Sequence, residues 1–403
     1  MINTLQRFKK ELLLFISAVA LVGFGESVIN STLNNFLHDS YSISSLQRTF
    51  LELPREFPGF MVVFISSALF FLRSRRLAVF ASLLGSLGFL LIALFPETLN
   101  ILFIWIFLYS AGQHLLIPLT SGIAMEMAHK GQDGRRLGQV NSVRNIATVL
   151  GSFVVFIGFK YLHFAFQTSF IIAAVLYLLA ALFFYQMDPG KAHPPELRLK
   201  LHKEYGLYYW LVILFGTRKQ IFMTFAPWVL VTVYHKPTSV IATLLFMGGL
   251  AGILFQPILG KAIDRLGEKV IFIYEAVLLI FVCLGYGFAK SILPETIAFD
   301  LVAGCYIADQ LLMSVNMARA TYLKKIVLNR DHIAPTLMMG TTMDHFFSII
   351  VALVGGVIWV YFGYKFVFLF GGFIALVSLF SVQFVRIPVQ KKGKHEAVVL
   401  EED

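Results

Sequence analysis

Charged residues are scarce in this chain of 403 residues. They make up only 14% of the sequence, whereas hydrophobic residues make up 58%. Soluble domains carry about 25% charged residues, so this composition excludes an ordinary water-soluble protein. The longest polar stretch runs from about Asp188 to Glu204, which leaves no room for a separate soluble catalytic domain.

Cysteine is also rare, and catalytic motifs are missing. The two cysteines, Cys283 and Cys305, both lie in hydrophobic runs, which excludes a disulfide framework or a cysteine-rich metal site. No second histidine or carboxylate lies at a metal-binding spacing from His114, so we expect no metal. A nucleotide-binding loop, a nucleophile motif and a glycine-rich phosphate cradle are absent too. We therefore expect no enzyme, no cofactor and no nucleotide-driven transport by this chain alone.

Long hydrophobic runs are abundant. A helix needs about 20 apolar residues to cross a hydrocarbon core of roughly 30 Å, and about twelve runs reach that length. The predicted spans are at about 11–36, 51–72, 77–96, 100–126, 138–160, 166–187, 206–234, 238–260, 270–289, 294–318, 335–362 and 365–386. The chain is therefore predicted to be an all-α polytopic membrane protein. The first run lacks a small-residue cleavage site, so we expect a retained helix.

The net charge of +10 follows the predicted loops. If the N-terminus is cytoplasmic, 24 of the 33 lysines and arginines lie on the cytoplasmic side, five on the other side and four within spans. Lysine and arginine stay on the side from which helices insert. Both termini are therefore predicted to be cytoplasmic, in a plasma membrane or a bacterial inner membrane. We expect the basic residues to face anionic lipid headgroups and not a nucleic acid.

The chain is predicted to consist of two similar halves. A cytoplasmic linker at 188–205 separates an N-terminal six-helix bundle, 1–187, from a C-terminal one, 206–386, which a cytoplasmic tail follows at 387–403. Residues 109–119, YSAGQHLLIPL, align with residues 306–315, YIADQLLMSV. On one face of the fifth and eleventh spans, Asn141, Arg144, Asn145 and Thr148 recur as Thr341, Asp344, His345 and Ser348. Duplicated six-helix halves are typical of transporters.

Residues 260–269, GKAIDRLGEK, lie between the eighth and ninth spans and match the loop pattern G-x-x-x-D-R-x-G-x-K. With its twelve spans and central linker, the chain resembles the major facilitator superfamily of secondary transporters. The resemblance implies two pseudo-symmetric bundles and transport by alternating access. The first-half copy of the loop, LRSRRL, lacks the glycines and the aspartate. The glycine-proline signature of drug antiporters is absent from 141–156, which disfavours a drug exporter.

The resemblance also implies a cytoplasmic gate loop formed by Gly260, Asp264, Arg265, Gly267 and Lys269. We expect Asp264 to lie at the N-terminus of the fifth helix, where the exposed amides stabilise a negative charge. The alternative is a solvated turn in which Asp264 pairs with Arg265 or Lys261, which would contribute little stability.

Ionisable groups at membrane depth are costly and are therefore candidate functional groups. Glu26, Asp309 and Asp344 are predicted to carry a coupled proton; the alternative is a structural carboxyl group, neutral or paired. Polar residues that face the same interior are predicted to line the substrate cavity: Asn30, Gln113, His114, Arg144, Asn145, Arg218, Gln220, Asn316 and His345.

Other charged residues within the predicted spans are assigned other roles. Glu52, Arg55 and Glu56 share one helical face and are predicted to form a local ion cluster at the outer gate. Glu275 is predicted to be peripheral and to extend toward the membrane surface.

The charge pattern also bears on the solute. Arg144, Arg218 and Lys219 have no carboxylate within four residues on their own helices, so an organic anion is predicted to complete their pairing. The predicted function is proton-coupled secondary transport of a small organic anion by a monomer. The alternatives are a lipid or amphiphile flippase or a drug exporter of the same fold, and a membrane sensor or scaffold that does not transport.

Overall fold

A computed structural model describes residues 2–68, 73–128, 133–189, 201–329 and 332–386. Most of the predicted linker and the whole predicted tail, 387–403, lie outside these residues. The helices in chain order are α1 (Ile2–Tyr41), α2 (Ser45–Phe50), α3 (Glu52–Ala68), α4 (Ser74–Leu94), α5 (Leu99–Glu126), α6 (Asp133–Tyr161), α7 (Phe166–Gln186), α8 (Gly206–Thr232), α9 (Thr238–Leu266), α10 (Glu268–Ile292), α11 (Glu295–Met313), α12 (Asn316–Ile326), α13 (Ile333–Phe362) and α14 (Tyr364–Ser381).

Ten stretches of the described chain are long and apolar enough to cross a membrane, and α11 and α12 together form one of them. The other two spans are α3 and α8, which carry charged residues within their apolar sequence. Glu52 and Glu56 of α3 and Arg218 of α8 are buried in protein, so these charges do not face lipid. The prediction of an all-α fold with twelve transmembrane helices is confirmed.

Three of the differences between the helix boundaries and the predicted spans bear on the site. The second span begins early, at Ser45, because Ser44 and Gln47 form a capping box in which each side chain bonds the other residue's backbone amide. The tenth span is interrupted at Ser314 and Val315. The eighth continues to Leu266, so the predicted gate loop is mostly helical and turns only at Gly267.

Each half has its own hydrophobic core. In the first half α1 packs on α6 and α7, and α4 packs on α5 and α7; in the second, α8 packs on α13 and α14, and α10 on α11 and α14. Small residues allow the closest approaches, since a Cβ atom at Gly112 of α5 would lie 2.6 Å from the Gly85 nitrogen of α4. The halves meet where α6 packs against α9 and α3 against α13. A central space between α1, α3, α8, α9 and α11 remains open.

Candidate functional site

The space between the halves is a cavity of about 180 Å³. Both halves contribute polar groups to it, as expected for a site at a repeat interface. Its polar lining is Asn30, Asn34, Arg55, Tyr306, Asp309 and Gln310. Phe222, Met223 and Leu245 are among its apolar lining residues. The cavity therefore offers both polar and apolar contacts to a solute.

Three of the four uncharged polar side chains of the cavity are free to bind a solute, and the fourth, Asn34, accepts a hydrogen bond from Arg48. Among the described residues, the side chains of Asn30, Tyr306 and Gln310 have no hydrogen-bond partner. Arg55 and Asp309, by contrast, are bonded to other protein groups. The unoccupied hydrogen-bonding capacity of this cavity is therefore mainly uncharged.

Arg218 of α8 lies at the centre of a buried ion network in the second half. Its Nη1 donates to Asp309 Oδ1 at 2.5 Å, and its Nη2 donates to Glu275 Oε1 at 3.3 Å. Arg319 of α12 donates to Glu275 Oε2 at 2.9 Å. The four side chains are 5% exposed or less. The expectation of a peripheral Glu275 is therefore wrong, because hydropathy alone does not distinguish the lipid-facing side of a helix from its interior side.

A second buried network surrounds Glu52 at the junction of α2 and α3. Arg48 Nη1 donates to Glu52 Oε1 at 2.5 Å, and Arg48 Nε donates to Asn34 Oδ1 of α1 at 2.9 Å. Arg55 Nη1 donates to the same Glu52 oxygen at 3.2 Å. Gln220 Nε2 of α8 donates to Glu52 Oε2 at 2.9 Å. This network therefore connects the two halves near the cavity.

The cluster lies deeper in the second span than the predicted bounds, 51–72, implied, and its role at the outer gate stays a prediction. The second span begins at Ser45, so Glu52 lies about two helical turns inside it. Arg48 precedes the predicted second span, 51–72, but it is fully buried. Its spacing of four residues from Glu52 and seven from Arg55 places all three on one helical face, a signal that was present in the sequence.

Matching ion pairs occur in the two halves. Arg144 Nη2 of α6 donates to Glu26 Oε2 of α1 at 2.5 Å, and Tyr177 donates to the other Glu26 oxygen at 3.5 Å. Lys219 Nζ of α8 donates to Asp344 Oδ2 of α13 at 2.6 Å. Arg144 and Asp344 are at the positions that the internal repeat aligns.

Glu56 of α3 has a different kind of partner. His345 Nδ1 of α13 lies 2.9 Å from Glu56 Oε2, and the ring of His114 of α5 lies 4.9 Å from the His345 ring. His114 Nδ1 bonds the Ser110 carbonyl oxygen at 2.9 Å. One possible ligand atom from each of Glu56, His114 and His345 lies within 4.8 Å of the others, so these residue types could hold a metal. The sequence analysis missed this grouping because His114 and His345 lie in different halves.

The cations that the sequence analysis left without partners are paired with carboxylates in the structure. Arg144, Arg218 and Lys219 each have a carboxylate partner from another helix. Counting all these networks, six cations face six carboxylates: Arg48, Arg55, Arg144, Arg218, Lys219 and Arg319 with Glu26, Glu52, Glu56, Glu275, Asp309 and Asp344. The described interior is therefore electrically balanced when its histidines are neutral.

The model of the Major Facilitator Superfamily matches residues 15–324 of the sequence. The chain belongs to this superfamily. It is accordingly a membrane transporter and not an enzyme, as the sequence analysis predicted. A comparison with curated proteins finds no match.

Solved structures of major facilitator transporters share the fold. The nucleoside transporter NupG superposes with a TM-score of 0.71 at 15% identity, covering 93% of this chain and 98% of its own. For a D-xylose-proton symporter the TM-score is 0.70 at 15% identity, with 94% and 98% coverage. For the peptide transporter POT it is 0.71 at 16% identity, with 93% coverage of both chains.

The family's gate motif is not engaged as a latch in this conformation. Asp264 is exposed and has no hydrogen-bond or ion-pair partner among the described residues, and Arg265 is exposed beside it. Gly260 lies within α9 with open space around it, and Gly267 ends the helix at a φ of 81°, which glycine tolerates. Lys269 donates to the Gln383 carbonyl oxygen at 2.8 Å. The predicted contact of Asp264 with the fifth helix stays a prediction for another conformation.

Contacts between the halves are concentrated away from the Asp264 end. Asn35 donates to the Lys236 carbonyl oxygen at 3.0 Å, and Trp228 donates to Ser45 Oγ at 3.2 Å. Nearer the middle, Asn145 Nδ2 donates to Gln256 Oε1 at 3.3 Å. In the described part of the chain, no side-chain hydrogen bond joins the halves at the Asp264 end, so the cavity is closed toward the opposite end.

Of the nine residues predicted to line the cavity, the described lining includes only Asn30. Six others are bonded to other protein groups and do not line it: His114, Arg144, Asn145, Arg218, Gln220 and His345. Gln113 is half-buried on α5 and does not line the cavity, and Asn316 is exposed at the start of α12. Around Ser314 and Val315 the backbone amides bond the carbonyl of the third residue before them instead of the fourth, which tightens the turn. The face that Asn316 shares with Asp309 in a regular α-helix is therefore not maintained.

Proposed function

We propose that this protein is a proton-coupled secondary transporter that moves a small polar organic solute, uncharged or zwitterionic, by alternating access. The solute site is the cavity between the halves, where polar groups of α1 face polar groups of α11. A site shared by both halves favours this role, because a solute bound there contacts both parts that move.

The proposal rests on the uncharged polar side chains of the cavity that have no hydrogen-bond partner among the described residues. Asn30, Tyr306 and Gln310 offer donors and acceptors that no described residue uses, and hydroxyl, carbonyl or amide groups of a solute would complete them. The structurally similar transporters are a nucleoside transporter, a peptide transporter and a D-xylose-proton symporter. These similarities support uncharged or zwitterionic solutes and proton coupling for this chain.

An anionic solute was predicted from cations without partners. Since Arg144, Arg218 and Lys219 are paired, a solute anion would have to displace a carboxylate to reach them. The apolar wall of Phe222, Met223 and Leu245 favours a solute with one apolar face, such as a ring, and it keeps an amphiphile as the second candidate.

Proton coupling at Glu26, Asp309 or Asp344 stays a prediction. Each of these carboxylates has a lysine or arginine partner within 2.6 Å, so a proton would have to displace a fixed cation. We also propose a plasma-membrane location with cytoplasmic termini, on the charge distribution of the loops. A monomer is proposed as the working unit because one chain supplies both halves of the cavity.

Binding and transport of probe solutes test the proposal. Purified protein is heated with uridine, D-xylose or dialanine, and separately with citrate or glucose 6-phosphate, since a bound solute raises the unfolding temperature. The probe that stabilises is then followed by counterflow in proteoliposomes. We expect an uncharged or zwitterionic probe to stabilise the protein and to exchange across the membrane.

Variants connect the binding to the cavity. Asn30→Ala and Gln310→Ala are expected to weaken binding of that probe about fivefold to tenfold each, the effect of one lost hydrogen bond. Thr243→Ala is the control, because this hydroxyl bonds the backbone of its own helix α9. Stabilisation by the anions alone would overturn the proposed solute class, and binding without counterflow would favour a sensor.

A further inference from the structure

One interior carboxylate differs from the other five in its partner. Glu26, Glu52, Glu275, Asp309 and Asp344 each bond a lysine or arginine. Glu56 bonds only His345 among the described residues. A lysine or arginine keeps its charge throughout the physiological range, whereas a histidine changes charge between about pH 5 and pH 8. The strength of the Glu56 pair therefore depends on one proton.

The position of this pair is also distinctive. Glu56 lies on α3 of the first half and His345 on α13 of the second. In the described part of the chain, every other ion pair lies within a single half. Further along α13, toward the closed end, Thr49 of α2 packs directly against Gly356. Among the described residues, Glu56–His345 is thus the one histidine-containing ion pair that joins the halves, since His38 and Asp39 both lie in the first half. It lies on an interface that must separate if the closed end is to open.

We propose that Glu56 and His345 form a proton-binding switch, which holds α3 against α13 when His345 is protonated and weakens this contact when it is not. The proposal rests on the proposed transport function. The His345 ring donates its Nδ1 hydrogen to Glu56 in both forms, because the carboxylate is an acceptor. The coupled proton binds at Nε2, and only an N–H bond forms or breaks. With that proton the contact becomes a charge-assisted hydrogen bond.

The surroundings favour a proton over a metal ion. A divalent cation between Glu56, His114 and His345 would face the fixed positive charges of Arg55 and Lys219, which lie within electrostatic reach. A proton adds only one charge and needs no rearrangement of ligands. The charged and titratable groups that face the pair from the surrounding helices are Glu52 and Arg55 of α3, Tyr109 and His114 of α5, Lys219 of α8 and Asp344 of α13.

His114 limits the switch to one proton. The two imidazole rings are 4.9 Å apart, so charging both at once would place like charges side by side. His114 also bonds the Ser110 carbonyl oxygen, which leaves its Nε2 directed away from that bond. The group is therefore expected to bind a single proton in the working range.

The test measures conformation directly and needs no solute. Spin labels on Leu162→Cys and Tyr361→Cys, both highly exposed at the closed end, report the distance between the halves by pulsed electron resonance. The native Cys283 and Cys305 are buried and remain unlabelled. At low pH we expect a short distance between the labels. As the pH rises, a population with a longer distance should grow, and its ratio to the short-distance population should change by at most about tenfold per pH unit if one proton is involved.

Matched variants identify the titrating group. His345→Gln and Glu56→Gln keep a hydrogen-bonding side chain at each position and should remove the pH dependence, while a thermal unfolding scan checks that each variant is folded. His235→Asn changes an exposed histidine in the loop between α8 and α9 at the same end, where asparagine tolerates the positive φ of 50°, and should leave the dependence unchanged. A pH-dependent distance that persists in both switch variants, or stabilisation by Zn²⁺ that is lost in His345→Gln, would overturn the proposal.

The result separates this inference from the proposed function. A parent protein that transports with a proton gradient but shows no pH-dependent distance would refute the switch alone. A pH-dependent distance without transport of any probe would refute the transport function and leave the switch supported.

Discussion

Arg144 and Asp344 occupy equivalent positions in the two halves but carry opposite charges. Each is bonded to a residue on the first helix of its own half, Arg144 to Glu26 and Asp344 to Lys219. Gly23 and Gly216 lie three residues before these partners, and each glycine packs directly against the equivalent residue of the fifth or eleventh span. The two halves therefore share this ion pair, but the helix that carries the acid in one half carries the base in the other.

Exchanging the charges of one pair tests whether the pairing itself matters. Glu26→Lys or Arg144→Asp alone leaves like charges together, and we expect each to destabilise the protein by about 1–3 kcal/mol. Glu26→Lys with Arg144→Asp reproduces the charge order of the second half and should recover most of that loss. Thermal unfolding of the four proteins provides the double-mutant cycle, and additive losses would contradict the pairing.

The second prediction concerns the buried Arg218 network. Asp309→Asn removes the charge that Arg218 contacts at 2.5 Å and leaves the cation with Glu275, which Arg319 also uses. Breaking a buried pair costs about 3–5 kcal/mol, so the unfolding temperature should fall clearly. We expect proton-driven accumulation to persist in the protein that remains folded. A stable Asp309→Asn variant without such accumulation would return the coupling role to Asp309.

A third prediction uses the glycine beside the histidines. A Cβ atom at Gly59 would lie 2.5 Å from His114 Cδ2 and 2.7 Å from His345 Cε1, so Gly59→Ala must move these rings or separate α3 from α13. The spin-label distance at the closed end should increase. Gly122→Ala on α5 meets nothing within 4 Å and serves as the control. Equal distances in the two variants would show that this packing does not hold the halves together.

Orientation is tested by labelling. In intact cells, a membrane-impermeant maleimide should label Leu162→Cys, whose parent side chain is 61% exposed in the loop after α6. Asp264→Cys, at the other end of the bundles, should react only after the membrane is permeabilised. Labelling of Asp264→Cys from outside would reverse the predicted topology.

The sequence was sufficient for the architecture because hydrophobic length and loop charge are local properties. Twelve helices, two halves and the family follow from them. Partners such as Glu275 for Arg218, or His345 for Glu56, join residues far apart in the sequence, and hydropathy carries no information on which helices face one another. Arg48 was missed for a different reason: the capping box at Ser44 starts the second span before its apolar residues begin.

Gradient-driven uptake tests the central claim most directly. The probe solute that stabilises the protein is offered to proteoliposomes with an alkaline interior, with no pH gradient, or with a protonophore added. We predict accumulation above the external concentration only with the pH gradient, and its loss with the protonophore. Equal concentrations inside and outside under all three conditions would contradict proton-coupled transport.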